Sequence, residues 1–187
     1  MTPATPPAAP GIRCDPGPLR LASLVSGATG GFLAAAASLA ALVALAGSSG
    51  RSLARPLNVV GAALVRWLQG AAPQALDGVY LDATWGGLAL ALVSGALVGA
   101  LLAMALDRLP EDQPFSWGLL TGLAAAALLN GSPRSGWGLG PSLNPLLVTE
   151  WGWRGLLVAG AVFGATLGGW LHLDRRASRA IAGDHRP

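Results

Sequence analysis

The chain has 187 residues, of which 52% are hydrophobic and only 11% charged, against about a quarter charged in an ordinary soluble domain. Its apolar residues lie in long uncharged blocks rather than at amphipathic spacing, which excludes a soluble globule and predicts an all-α integral membrane protein. The formal charge of +3 comes from arginine alone, with no lysine, and the arginines are scattered at block ends instead of gathered on one face, so no nucleic-acid partner is expected.

Residues 1–18 are rich in Pro and Ala and lack the apolar core of a cleavable signal peptide, so they are read as a flexible tail. Cys14 is the sole cysteine, which excludes an internal disulfide and a cysteine metal cluster. Residues 19–174 form the membrane domain, with four apolar spans at about 21–45, 84–106, 114–130 and 154–173. Crossing the hydrocarbon takes about 20 residues, so the third span is short and is read either as a full crossing or as a re-entrant arm. An Arg-rich tail, residues 175–187, closes the chain.

Between the first two spans, residues 55–69 read as a separate amphipathic helix. Pro56 sits at a first-turn position, Leu57, Val60, Leu64 and Leu68 share one face, and Asn58, Arg66 and Gln69 lie off it. Two readings stand: a helix lying in the membrane interface, and a helix docked on the other four.

Four spans put both termini on one side. Arg13, Arg20, Arg108, Arg175, Arg176 and Arg179 collect there, against Arg51, Arg55, Arg66, Arg134 and Arg154 on the other, so the positive-inside rule favours cytoplasmic termini in a bacterial inner membrane. Trp67, Trp85, Trp137, Trp151 and Trp153 fall on the non-terminal side, Trp117 and Trp170 on the terminal side. Indoles prefer the headgroup level, and the five on the non-terminal side are candidates both for anchoring and for docking a partner. A lipid or quinone headgroup at that Trp-rich outer interface is a further candidate.

Two halves of the chain resemble each other. Trp85-Gly86-Gly87-Leu88 matches Trp153-Arg154-Gly155-Leu156, with Asp82 and Glu150 before them, and Thr29-Gly30 matches Thr121-Gly122. A duplicated two-helix hairpin with both copies in the same orientation is therefore expected. Gly-x-x-x-Gly recurs at Gly27/Gly31, Gly95/Gly99, Gly118/Gly122 and Gly160/Gly164/Gly168, giving every span a small-residue stripe that lets backbones approach closely in lipid. Packing within the bundle and association with another subunit are the two uses of such stripes.

The spans supply almost no chemistry. No Asp, Glu, His or Arg lies at mid-depth, where transporters usually keep one. His172 sits at the end of the fourth span and His185 in the tail, so neither a pair of haem ligands nor a metal cluster is expected, and the chain is read as a non-enzyme without cofactor. Hydroxyls such as Ser26, Thr29, Ser38 and Thr121 are expected to bond to helix backbone.

Together, the Gly-rich first span, Pro56-Leu57-Asn58, the Gly-x-x-x-Gly second span and Asn144-Pro145-Leu146-Leu147 before a Gly-repeat fourth span resemble a loose group of uncharacterised small four-helix bacterial inner-membrane proteins. Members of that group often carry a histidine early in the even-numbered spans, where this chain has none. The function expected from the sequence is an accessory, structural subunit of a larger membrane complex, with respiratory or photosynthetic electron transfer as the host. The alternative is a small transporter or channel built from the duplicated hairpin.

Overall fold

The structure, a computed structural model, describes residues 17–69, 76–106, 113–130 and 145–183. Most of these residues are helical, with short turns at 49–54 and 76–80 and no strand among them. The helices are α1 (Gly17–Ser48), α2 (Arg55–Gln69), α3 (Gly86–Leu106), α4 (Pro114–Leu129) and α5 (Pro145–Gly183), and a π turn (Leu81–Trp85) leads into α3. Three helical stretches are long and apolar enough to cross a membrane: Leu21–Ser48, Leu81–Leu106 and Thr149–Ser178. Helix α4 is apolar but has 16 residues, about 24 Å at 1.5 Å per residue.

Local chemistry explains the boundaries. Helices α2, α4 and α5 each carry proline in the first turn, Pro56, Pro114 and Pro145, where the missing N–H costs nothing. Helix α1 stops at a glycine cap. Gly50 takes a left-handed φ of 71°, its N–H bonds to the Gly47 carbonyl, and the Arg51 N–H reaches back to Ala46 at 2.9 Å. This paired return is the Schellman arrangement, and it turns the chain so that Arg51 and Arg55 face the start of α5. Within α5, Gly152 has φ 58° and ψ −179°, a conformation open almost only to glycine, which separates a short helix ahead of it from the long one behind. The helix then continues to Gly183, so residues 175–183, read from sequence as tail, extend α5. The tail at 1–16 and 184–187 lies outside the described residues.

The four long helices form an open row, not a closed bundle. Helix α3 packs on α1, α1 on α5, and α5 on α4, each against its antiparallel neighbour. The outer helices α3 and α4 make no packed interface with each other. Shifting the pair α3–α1 along the row by two places superimposes it on α5–α4 in chain sense, α3 onto α5 and α1 onto α4. Helix α2 lies at the end of the row near the C-terminus of α1 and packs chiefly on the π turn and α3.

Its docking corrects the sequence reading of its faces. The buried side is Asn58, Val59, Ala62 and Val65, with Asn58 and Val59 fully buried, while Leu57, Val60 and Leu64 are half-buried and Leu68 is exposed. Asn58, placed off the apolar face, is thus at the centre of the contact. The leucine stripe turns outward because the docking surface consists of backbone, which only small side chains can approach.

The central core lies where α1, α3 and α5 meet, at the terminal-side half. Ala34, Ala103, Leu106, Leu167 and Leu171 are buried there, and Trp117, Phe163 and Trp170 pack against them. Trp117 and Trp170, read as interface markers, therefore contribute to packing. The Trp170 indole also donates to the Ser26 carbonyl at 3.1 Å, and at the other end of the same interface the Ser38 hydroxyl donates to the Ala159 carbonyl at 2.8 Å.

Replacing Gly152 with alanine imposes a strained backbone although the added methyl meets open space. Gly152→Ala is expected to lose about 1–3 kcal/mol of stability, read as a lower thermal midpoint in detergent, whereas Gly169→Ala, also facing open space but in regular helix, leaves the midpoint unchanged or slightly raised.

Candidate functional site

Two features concentrate the contacts that sequence singled out: a pair of glycine seams and a polar cluster at the non-terminal end of the row. In the first seam, Gly27, Gly31 and Ala35 on α1 face Gly95, Gly99 and Ala103 on α3. A methyl placed on Gly99 would fall on the Gly27 carbonyl, one on Gly31 on the Gly95 carbonyl, and one on Gly95 against the Ala35 side chain. In the second, Gly118, Gly122 and Ala126 on α4 face Gly160, Gly164 and Gly168 on α5. A methyl on Gly122 would fall on the Gly160 carbonyl, and one on Gly118 against the backbone of Gly168 and Gly164.

All nine glycines of the recurring motif therefore lie in intrachain contacts. The spacing of four residues recurs on both partners of each seam, so three successive turns of one helix meet three of the other. The seams align Gly95 with Gly160, whereas the sequence match aligns Trp85 with Trp153. These offsets differ by three residues, nearly one helical turn, which displaces the tryptophans relative to the seams in the two pairs.

A third close approach involves residues the sequence reading did not select. Gly61 of α2 lies on the Ala83 carbonyl, and Gly87 of α3 lies on the Leu57 carbonyl. Neither glycine belongs to a Gly-x-x-x-Gly pair within its own helix, so periodicity gave no signal. The only hint was the doubled Gly86-Gly87 after Trp85.

The polar cluster holds α2 in place. Asn58 Nδ2 donates to the carbonyls of Leu76 at 2.7 Å and Gly78 at 2.6 Å, and its Oδ1 accepts from the Thr84 hydroxyl at 2.6 Å. That hydroxyl also accepts from the Tyr80 N–H at 3.0 Å. One buried amide and one hydroxyl thus satisfy the irregular backbone between α2 and the π turn.

On the same helix, Arg55 bonds through Nε and Nη2 to Glu150 Oε2 at 3.0 and 2.8 Å and through Nη1 to Asp77 at 2.7 Å. Arg51 donates to the Glu150 carbonyl at 3.1 Å. The Arg55 pKa is raised above the ordinary arginine value, first by Asp77 and then by Glu150, against a smaller opposing effect of desolvation. A raised basic pKa contributes stability that is lost only as pH rises through the folded value. For arginine that lies above the working range, so Arg55 stays charged throughout it. Sequence reasoning noted Glu150 as a match between halves and Asn58 as a polar residue off the leucine face; their meeting with Arg55 and Thr84 depends on how α2 and α5 are placed.

Of the candidate docking tryptophans, Trp85 and Trp153 are exposed at 59% and 56%. The Arg154 guanidinium lies 5.6 Å from the centroid of the Trp153 ring, within cation–π range. Trp151 is half-buried beside Gly155. The Trp67 side chain and Trp137 lie outside the described residues, as do Asn144 and its loop. His172 is half-buried in α5, and among the described residues no three His, Cys, Asp or Glu side chains come together.

Three measurements check this site. Gly99→Ala is expected to cost about 1–3 kcal/mol, lowering the thermal midpoint in detergent, because backbone on both sides of the seam must separate. Asn58→Leu keeps the branched shape but strands two carbonyls and the Thr84 hydroxyl, with an expected loss of about 2–3 kcal/mol. Arg55→Gln and Glu150→Gln singly are expected to lose about 1 kcal/mol each, with a non-additive double mutant.

No protein-family model, curated protein or solved structure matches the chain.

Proposed function

We propose that the chain is an accessory, non-catalytic subunit that packs laterally in a larger membrane complex, with four crossings and both termini in the cytoplasm of a bacterial inner membrane. The observation that carries this reading is the open row. Helix α3 uses one face for the α1 seam and leaves Val93, Leu97 and Leu101 about 60% exposed along the other. Helix α4 likewise leaves Phe115, Leu120 and Leu128 exposed. Both ends of the row are thus free to continue into further helices.

Depth supports the fourth crossing. Gly118–Ala126 of α4 lie beside Gly160–Gly168, in the middle of the apolar stretch of α5. A helix of about 24 Å at that depth falls short of a hydrocarbon layer of about 30 Å, a mismatch met by local thinning or by polar residues at its ends. An electron-transfer complex as host rests on the sequence reading alone.

Membranes solubilised in mild detergent provide the test. The chain is expected to migrate with a complex well above its own mass, and photo-crosslinkers at Val93 or Leu97 are expected to capture one stoichiometric subunit of that complex, identified by peptide mass. Migration solely at the mass of the chain, with crosslinks to lipid alone, overturns the proposal.

The two equivalent seams favour a second reading, a transporter or channel made from duplicated hairpins. A single open row encloses no lumen, so that reading requires several copies. Proteoliposomes no more permeable than empty vesicles count against it.

A further inference from the structure

We infer that the groove between the N-terminal half of α1 and the C-terminal half of α5 is a binding site for one aminophospholipid, a lipid whose headgroup carries a primary amine. The groove has a volume of about 540 Å³, within the roughly 300–1,000 Å³ of ordinary small-molecule sites. It opens sideways from the row at the terminal side and is distinct from the Trp-rich outer interface.

Its chemistry is graded along its length. Leu21, Val25 and the Trp170 ring form apolar walls, and the groove reaches from Leu21 to Thr29, about 12 Å of helix. Asp174 stands at the mouth, level with the first turns of α1 because α1 and α5 run antiparallel with Ser26 beside Trp170. No cation pairs with Asp174 among the described residues.

One turn below, about 6 Å deeper, is Ser26. Its hydroxyl is the one buried side-chain polar atom among the described residues that has no hydrogen-bond partner. Neighbouring hydroxyls behave differently: Thr29 donates to the Val25 carbonyl at 2.9 Å, Ser94 to Ala91, and Thr121 to Trp117. The Ser26 carbonyl is already taken by the Trp170 indole, so this residue of the groove wall has an occupied acceptor and a shielded, unmatched donor. A buried donor left unmatched is costly in lipid.

A phospholipid satisfies each group in order. Its ammonium donates to the Asp174 carboxylate at the mouth, a charge-assisted bond. A glycerol ester carbonyl accepts from Ser26, and an acyl chain lies along Leu21, Val25 and Trp170. The Asp174 carboxylate offers an amine-bearing headgroup an ion pair that phosphatidylglycerol cannot form. A quinone has acceptors for Ser26 but nothing for Asp174.

Detergent-purified full chain, delipidated and then mixed with phosphatidylethanolamine, phosphatidylcholine and phosphatidylglycerol of identical acyl chains, tests the site by native mass spectrometry. One phosphatidylethanolamine per chain is expected to be retained at least about fivefold over either competitor. Asp174→Asn is expected to abolish that preference, and Ala22→Trp, which fills the groove from an exposed position without touching the carboxylate, to abolish retention. Arg154→Gln at the far end of α5 leaves both unchanged. Equal retention of the three lipids, meaning annular lipid only, overturns the inference. So does a quinone displacing phosphatidylethanolamine, or a preference that survives both Asp174→Asn and Ala22→Trp.

Discussion

In a bilayer, apolar side chains gain nothing by leaving lipid for one another, so the helices of this protein are held chiefly by how closely their backbones approach. Both seams are built on that constraint. At Gly27, Gly31, Gly95 and Gly99, and again at Gly118, Gly122, Gly160, Gly164 and Gly168, main-chain atoms of one helix occupy the space a side chain would take on the other. Dispersion between closely apposed backbones, with weak Cα–H···O contacts to facing carbonyls, replaces the hydrophobic driving force available in water. Because each stripe occupies a single face, each seam joins two helices and no more. The row follows from joining the two pairs through the bulkier interface of α1 with α5.

That joining interface has a different character. Leu167, Leu171, Phe163 and Trp170 fill the space beside Ala34, and two side-chain hydrogen bonds, from Ser38 and Trp170, fasten its ends. Large side chains keep α1 and α5 farther apart than the seams hold their partners, and this wider spacing leaves the groove between their terminal-side ends. The site inferred for a lipid headgroup is thus a by-product of alternating tight and loose contacts along the row.

Irregular backbone is tolerated at the other end of the row for a related reason. A π turn and a glycine break stand at the starts of α3 and α5, where free carbonyls and N–H groups need partners near the membrane. Asn58 and Thr84 supply them around the π turn, and Arg55 and Glu150 add an ion pair between α2 and α5. Helix α2 carries two of these four, which makes it a strap across the irregular ends, with Leu57 and Leu64 half-buried and Leu68 exposed.

Sequence alone determined the helical class, the extent of α2 and the cores of three apolar segments, and it marked glycines spaced by four, because length, apolar run and spacing are local properties. It also carried the absence of ionisable residues from the span interiors. Which stripe meets which, and that the four long helices form an open row, were decided by tertiary structure: every helix has a glycine face, so pairing is a matter of geometry between distant segments. The same holds for Asn58, whose place off the leucine face marked it as exposed until α2 docked through its small residues. Gly61, Gly87 and the unmatched hydroxyl of Ser26 had no periodic signature at all. Their roles arise from the neighbour brought against them, and a one-dimensional pattern contains no neighbours.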